Sequence, residues 1–360
     1  MSEFASPGGA IVAPRVRDFG ELEGQLARWL AERIEGASDL RLENFAYPKG
    51  AGQSHETILF DARWRESGEG RSQGLVVRIK PADFPVFVDD MFVEQCEVMR
   101  VVHEDGRVPV AKVFWREDDP SVLGSPFFVM ERLNGRVAVS NPSYLASGWV
   151  AEAGEEQRAR LWRQAVSALA GLQKIPRTGF GFLEPVEGVT GFEFEWDRWS
   201  RYLDHVDRPD RPLPEHRRVW SALRDRMPAN RPAGLVWGDA RVGNILVDDN
   251  FDVVGLMDWE QPSLGGALHD LGWWLFSQRI KVRTNGGRSL AGIPGREETA
   301  ALWSEVTGIA TADLDWYEAF AGLKTALIAV NLLDLRGKSP QGGGYADNPM
   351  MDEIRESFGL

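Results

Sequence analysis

The chain has 360 residues, 43% hydrophobic and 26% charged, with 54 acidic side chains against 41 Lys and Arg and a formal net charge of −13. This composition supplies one large or two moderate cores and excludes a disordered chain. The acidic balance excludes a general nucleic-acid binder, which needs clustered cations, and no apolar run is long enough to cross a bilayer, so neither nucleic acid nor membrane is expected as a partner. Residues 1–14 lack the basic start and apolar stretch of a secretory signal, and the one cysteine, Cys96, leaves no internal disulfide framework. Both features point to the cytoplasm.

Residues 1–17, rich in Gly, Pro and Ala without periodicity, read as a flexible tail. From 21 to 34, Leu22, Leu26, Trp29, Leu30 and Ile34 recur at helical spacing and predict an amphipathic helix. Short strand-like runs follow at 40–47, 57–64 and 74–79, then a helix over 88–103 and strands at 108–115 and 126–130. Beyond Leu133 the pattern changes to helices at 155–174, 194–206, 215–226, 268–282, 297–307 and 314–335. A β-rich block followed by an α-rich block predicts an α+β, two-lobed chain, divided into residues 18–132 and 133–360.

The segment 235–275 carries the chemistry. Asp239 is followed five positions later by Asn244, then by strands at 245–247 and 253–257 around a polar turn, and then by Asp258. Asn244 and Asp258 each lie seven residues from Phe251, so a hairpin brings amide and carboxylate to the same end. A hard cation such as Mg²⁺, which takes a few protein oxygens and completes its shell with phosphate and water, suits that pair. Singly, an Asp after Gly is an ordinary turn residue and an Asn before a strand an ordinary cap; the combined spacing is what is informative.

Gly-Asp at 238–239, Asn244, Asp-Trp-Glu at 258–260 and Asp-Leu-Gly at 270–272 together resemble the catalytic half of the aminoglycoside phosphotransferase and choline kinase family. The resemblance implies the two-lobed protein-kinase-like fold, with a small β-rich N-lobe and a larger, mostly helical C-lobe. It further implies transfer of the ATP γ-phosphoryl group to a hydroxyl of a small molecule, with Mg²⁺. On it, Asp239 is the catalytic base, Asn244 and Asp258 hold Mg²⁺, Glu260 is a further metal or water ligand, and Asp270 braces the loop. Arg241 offsets charge on the transferred phosphate. Where most of the family has His before Gly-Asp, this chain has Trp237, expected to support the loop by packing. The run Trp-Gly-Asp-Ala-Arg at 237–241 resembles the kinase-like domains attached to some acyl-CoA dehydrogenases.

Upstream, the Gly-rich run 50–57 resembles the family's phosphate-covering turn, implicating Gly52, Ser54 and His55. Arg78 and Lys80 project from one face of a strand; the resemblance favours Arg78 on the phosphates, with Lys80 as the alternative. The partner carboxylate is expected near Gln95, with Glu94 preferred and Glu97 beside it. Residues 126–135 resemble the segment joining the lobes, with adenine held near Glu131 to Leu133. Family acceptors range from aminoglycosides to choline, homoserine and hydroxyacyl groups. Phe194, Trp196, Trp199 and Tyr202 are expected to supply both acceptor contacts and helix core, favouring an apolar or aromatic acceptor moiety, while Trp273 and Trp274 read as helix core. The alternative to an enzyme is a nucleotide-binding pseudokinase or scaffold, motivated by Trp237 and Gln95. A protein kinase is disfavoured by the lack of Asp-Phe-Gly followed by Ala-Pro-Glu.

Overall fold

The computed structural model describes residues 17–48, 55–81, 86–338 and 348–360. Residues Gly52 and Ser54, and all of the expected tail except Arg17, lie outside the described residues. Packing separates two units: the described residues within 1–85 together with Ala111–Asn134, and Val86–Val110 together with Gly135–Leu360.

The first unit is an antiparallel sheet with one helix. Helix α1 (Phe19–Ala31) is started by Asp18, whose carboxylate accepts from the Gly20 and Glu21 N–H groups, and it buries Leu22, Leu26, Trp29 and Leu30. Strands β1 (Ala37–Ala46), β2 (Glu56–Glu66), β3 (Glu69–Ile79), β4 (Val113–Glu117) and β5 (Phe127–Glu131) form the sheet in the order β1-β2-β3-β5-β4. Alternation along β2 sends Ile58, Phe60 and Ala62 into the core shared with α1. At the end of β3, Leu75 to Ile79 are all buried, as in a strand covered on both faces, so Arg78 is enclosed despite its charge.

Helix α2 (Phe92–Asp105) belongs to the second unit, although it precedes the last two strands of the first. The strand expected at 108–115 begins only at Val113, because the carbonyl of Pro109 accepts the Leu256 N–H and 108–110 are thereby committed to the second unit.

The second unit is mostly helical: α3 (Trp149–Glu152), α4 (Glu155–Leu172), α5 (Gly191–Val206), α6 (Pro214–Asp225), α7 (His269–Thr284), α8 (Arg296–Thr307), α9 (Leu314–Leu335) and α10 (Pro349–Phe358). Residues His269 to Phe276 of α7 are all buried, the mark of a central helix covered on every side. A small sheet of β6 (Arg136–Val137), β7 (Ile245–Val247) and β8 (Val253–Leu256), in that order, lies within or beside the segment 235–275.

Candidate active site

The turn between β7 and β8 is closed by Asp248, whose carboxylate accepts from the N–H groups of Asn250 and Asp252. The ladder pairs Ile245 with Leu256 and continues through the Met257 N–H to the Asn244 carbonyl at 2.9 Å. Asn244 therefore stands opposite Met257, one residue short of the symmetry about Phe251 expected from the sequence. The turn is centred on Asn250, with Val247 opposite Val253, and the register shift between Leu246 and Val247 recovers one of the two positions by which that centre misses the expected pairing. Asp258 follows in the left-handed region, φ 64°, an uncommon conformation for a non-glycine residue.

Asp239 is the centre of a donor cluster. Asn244 Nδ2 donates to its Oδ2 at 2.7 Å and to its backbone carbonyl at 3.0 Å; Arg241 Nε lies 3.0 and 2.9 Å from the two carboxylate oxygens. Trp273 Nε1, reaching from α7, donates to Oδ1 at 3.0 Å. With the Asn244 amide protons turned to Asp239, its oxygen is the end left for a cation, and with the Asp258 carboxylate it makes an all-oxygen donor pair that fits Mg²⁺. Burial opposes the charge on Arg241, but Asp239, with Asp258 and Glu260 beyond it, holds the guanidinium above its ordinary value. The three carboxylates thus converge on one cation.

The loop is fixed from below. Buried Asp270 accepts the N–H groups of Trp237 at 2.6 Å and Gly238 at 2.9 Å. Burial pushes its carboxyl up to about 6 against those two hydrogen bonds. Trp237 is fully buried beside Trp259, ring centroids 5.8 Å apart, and its indole N–H donates to the Met257 carbonyl at 2.8 Å. It therefore both packs and ties the loop to the strand end that precedes Asp258. Gly238 has φ 103°, and a Cβ there would lie 2.5 Å from the Gln261 carbonyl oxygen.

A charged pair lies behind Trp273. Lys324 Nζ is 5.1 Å from the Trp273 ring centroid and 3.4 Å from Glu195, and both side chains are 2% exposed. Burial opposes ionisation of Glu195, yet Lys324 and Arg198 hold it down at about 2. Glu195 also accepts from Ser263 at 2.8 Å and from Trp199 at 2.9 Å.

The other expected site residues fall in several places. In the first unit, Arg78 Nη2 lies 3.3 Å from His55 Nδ1, and Lys80 continues the sheet through its N–H to the Pro126 carbonyl. The Glu131 N–H is bound to the Lys112 carbonyl, whereas no hydrogen bond among the described residues involves Leu133. Glu94 is half-buried on the first turn of α2, Gln95 is buried, and Glu97 pairs with Arg100 at 2.8 Å. Of the aromatics expected near the acceptor, Trp199 and Tyr202 are core, while Trp196 stacks on Trp220 at 3.9 Å and borders a surface depression of about 370 Å³. Trp273, read as core from its sequence, is 5% exposed yet also touches Asp239. A buried indole needs an acceptor, which was the available signal.

The sequence profile of the phosphotransferase enzyme family matches residues 50–302. The chain belongs to this family. Among curated relatives of this chain, the probable acyl-CoA dehydrogenase IBR3 of Arabidopsis thaliana is 29% identical over 72% of this chain and 31% of its own length. Human acyl-CoA dehydrogenase family member 11 is 23% identical over 85% of this chain and 40% of its own length. The chain thus spans about a third of the relatives it matches. Its fold is shared with a Ralstonia eutropha protein whose assignment as an aminoglycoside phosphotransferase is itself provisional (TM-score 0.66, 22% identity, covering 94% of this chain and 97% of that one). Plasmodium vivax ethanolamine kinase has the same fold (TM-score 0.56, 12% identity, 91% and 85% covered), as does aminoglycoside phosphotransferase APH(4)-Ia in complex with ADP and hygromycin B (TM-score 0.56, 14% identity, 93% and 100% covered). These likenesses establish the two-lobed, kinase-like architecture. Among the described residues, no helix is long and apolar enough to cross a membrane.

Proposed function

We propose that the chain transfers the γ-phosphoryl group of ATP to a hydroxyl of a small molecule in the cytoplasm. The observation that carries this reading is the donor cluster on Asp239, with Asn244 and Asp258 brought to neighbouring ladder positions. Asp239 takes the hydroxyl proton on a carboxylate oxygen; Asn244 and Trp273 fix the plane of that carboxylate. Arg241 offers positive charge beside the attacking oxygen. Asn244 and Asp258 would hold Mg²⁺, with Glu260 nearby; the ion, when bound, neutralises phosphate charge. In the first unit, His55 and Arg78, with Lys80, Gly52 and Ser54, are proposed for the phosphates, and Glu131 to Leu133 for adenine; Glu94 is proposed as the helix carboxylate.

Millimolar MgATP should raise the melting temperature by mass action, and Asp258→Ala should remove most of the Mg²⁺-dependent part. Asp239→Asn should keep MgATP affinity within a few-fold while lowering MgATP turnover by roughly 10². A second reading, nucleotide binding without turnover, draws on the hold of Arg241 Nε on both Asp239 oxygens. MgATP binding with no ADP release from any hydroxyl compound would select it. Absence of any MgATP shift or calorimetric binding would remove both readings.

A further inference from the structure

A second cavity of about 230 Å³ opens beside the donor cluster, lined among others by Ser140, Tyr144, Arg241, Trp274, Gln278 and Lys281. Arg241 belongs to both places: its Nε faces Asp239, and its Nη1 lies 3.5 Å from Ser140 Oγ on the cavity wall. Lys281, on α7, gives one N–H to the Ser140 carbonyl at 2.9 Å. An ammonium has three donors, and among the described residues no carboxylate is within ion-pair distance of this one. Tyr144 OH donates to Gln278 Oε1 at 2.9 Å on the same wall. The lining contains two cations, hydroxyls and an amide, and no Asp or Glu.

We propose that this cavity binds an anionic group of the acceptor, a carboxylate or a phosphate ester, next to the hydroxyl that reacts at Asp239. The proposal rests on the phosphotransferase reading and names the acceptor class for that site. An anion meets Lys281 and the outer edge of Arg241, so the reacting hydroxyl sits about one guanidinium width away. Burial, and then the charge of Arg241, pushes Lys281 below its ordinary value. Two like charges share an enclosed wall there, and an incoming anion relieves that repulsion. A polycation would meet the Lys281 ammonium on a wall without Asp or Glu, the carboxylate paired with Arg241 lying on the Asp239 side of the guanidinium. Smaller than the ~300–1,000 Å³ of most ligand sites, the cavity takes one end of an acceptor and leaves the rest outside.

The test uses four probes at matched concentration with saturating MgATP: 4-hydroxybutyrate, glycerol 3-phosphate, butane-1,4-diol and ethanolamine. Melting shift and ADP release are both read. The anionic probes should stabilise the protein and stimulate ADP release above the neutral and cationic ones, and the two anionic arms distinguish carboxylate from phosphate. Lys281→Glu and Lys281→Gln should raise half-saturation by an anionic probe by about 10- to 100-fold, the range for loss of a hydrogen bond to a charged group. The melting shift from MgATP alone should be unchanged in both variants, and Lys281→Arg should retain anion binding. If MgATP binds but no anionic probe shifts the wild type, or if the preference survives Lys281→Glu, the inference falls and phosphotransfer stands. If anions bind through Lys281 but MgATP does not, the anion site stands and phosphotransfer falls.

Discussion

Trp273→Phe isolates one hydrogen bond in the site. The indole Nε1 is 3.0 Å from Asp239 Oδ1, and phenylalanine keeps the aromatic contact with Lys324 while removing the donor. Hydrogen bonds to charged groups contribute about 1.5–3 kcal/mol. The Asp239 side chain is 31% exposed, so water replaces part of the lost bond and the lower end applies. A loss of about 1.5 kcal/mol in the transition state is roughly a tenfold fall in kcat. Trp273 is 5% exposed, so removing part of its ring also costs about 1 kcal/mol of stability, whereas Trp273→Ala should cost about 3–5. Basal MgATP hydrolysis, with water as acceptor, provides the assay, and KM for MgATP should remain within two-fold. If Trp273→Phe keeps kcat within two-fold of wild type while its melting temperature falls by the expected few degrees, Trp273 is packing alone and its positioning role is wrong.

Gly238→Ala places a Cβ 2.5 Å from the Gln261 carbonyl at φ 103°, and should cost more than about 3 kcal/mol in urea unfolding; a midpoint within error of wild type would contradict the loop geometry. Lys324→Met leaves Glu195 with Arg198 as its remaining cationic partner and should cost about 3 kcal/mol, while adding Glu195→Gln should restore at least half; additive losses would argue against coupling. Acidification should destabilise the fold. Burial depresses His216 from 6.5 to about 4, and burial with Lys324 depresses His269 to about 3, so the stability they contribute is full above pH 6.5 and is lost as the pH falls toward those values. Asp270, raised by burial from 3.8 to about 6, acts oppositely: its contribution is full below pH 3.8 and is lost as the pH rises through 6. The two histidines outweigh it, giving a net loss of roughly 2 kcal/mol between pH 6.5 and 5; a flat or rising stability over that range would contradict the burial of both imidazoles.

Elements with strong periodicity were legible in the sequence. The α1 stripe of Leu22, Leu26, Trp29 and Leu30 and the alternation of β2 needed no tertiary information. Asp239, Asn244 and Asp258 were legible because their spacing straddles a hairpin, yet the ladder register was not: the turn centres on Asn250 and a local bulge then shifts the pairing by one, neither of which alters hydrophobic pattern. Lys281 and Trp273 were missed for a different reason. Trp273 lies in the fully buried first half of α7, where the polar-apolar contrast that marks a facing side chain is erased, whereas Lys281 lies in the half-buried second half between Arg279 and Arg283 and reads as one more surface cation. The two-residue strand β6 was too short to give a periodic signal.

Helix α7 carries two sets of residues with separate duties. Asp270 and Trp273 hold the Asp239 loop, while Trp274, Gln278 and Lys281, spaced at four and three residues, follow a neighbouring stripe into the cavity wall. Substitutions along the second stripe can change what the cavity admits while leaving the anchors in place, so under the proposed function acceptor range would diverge by point changes on a helix whose other side is constrained. Insertions have no such freedom. One extra residue between Trp273 and Trp274 would rotate the two stripes relative to each other by about 100°, turning either the anchors from the loop or Lys281 from the cavity.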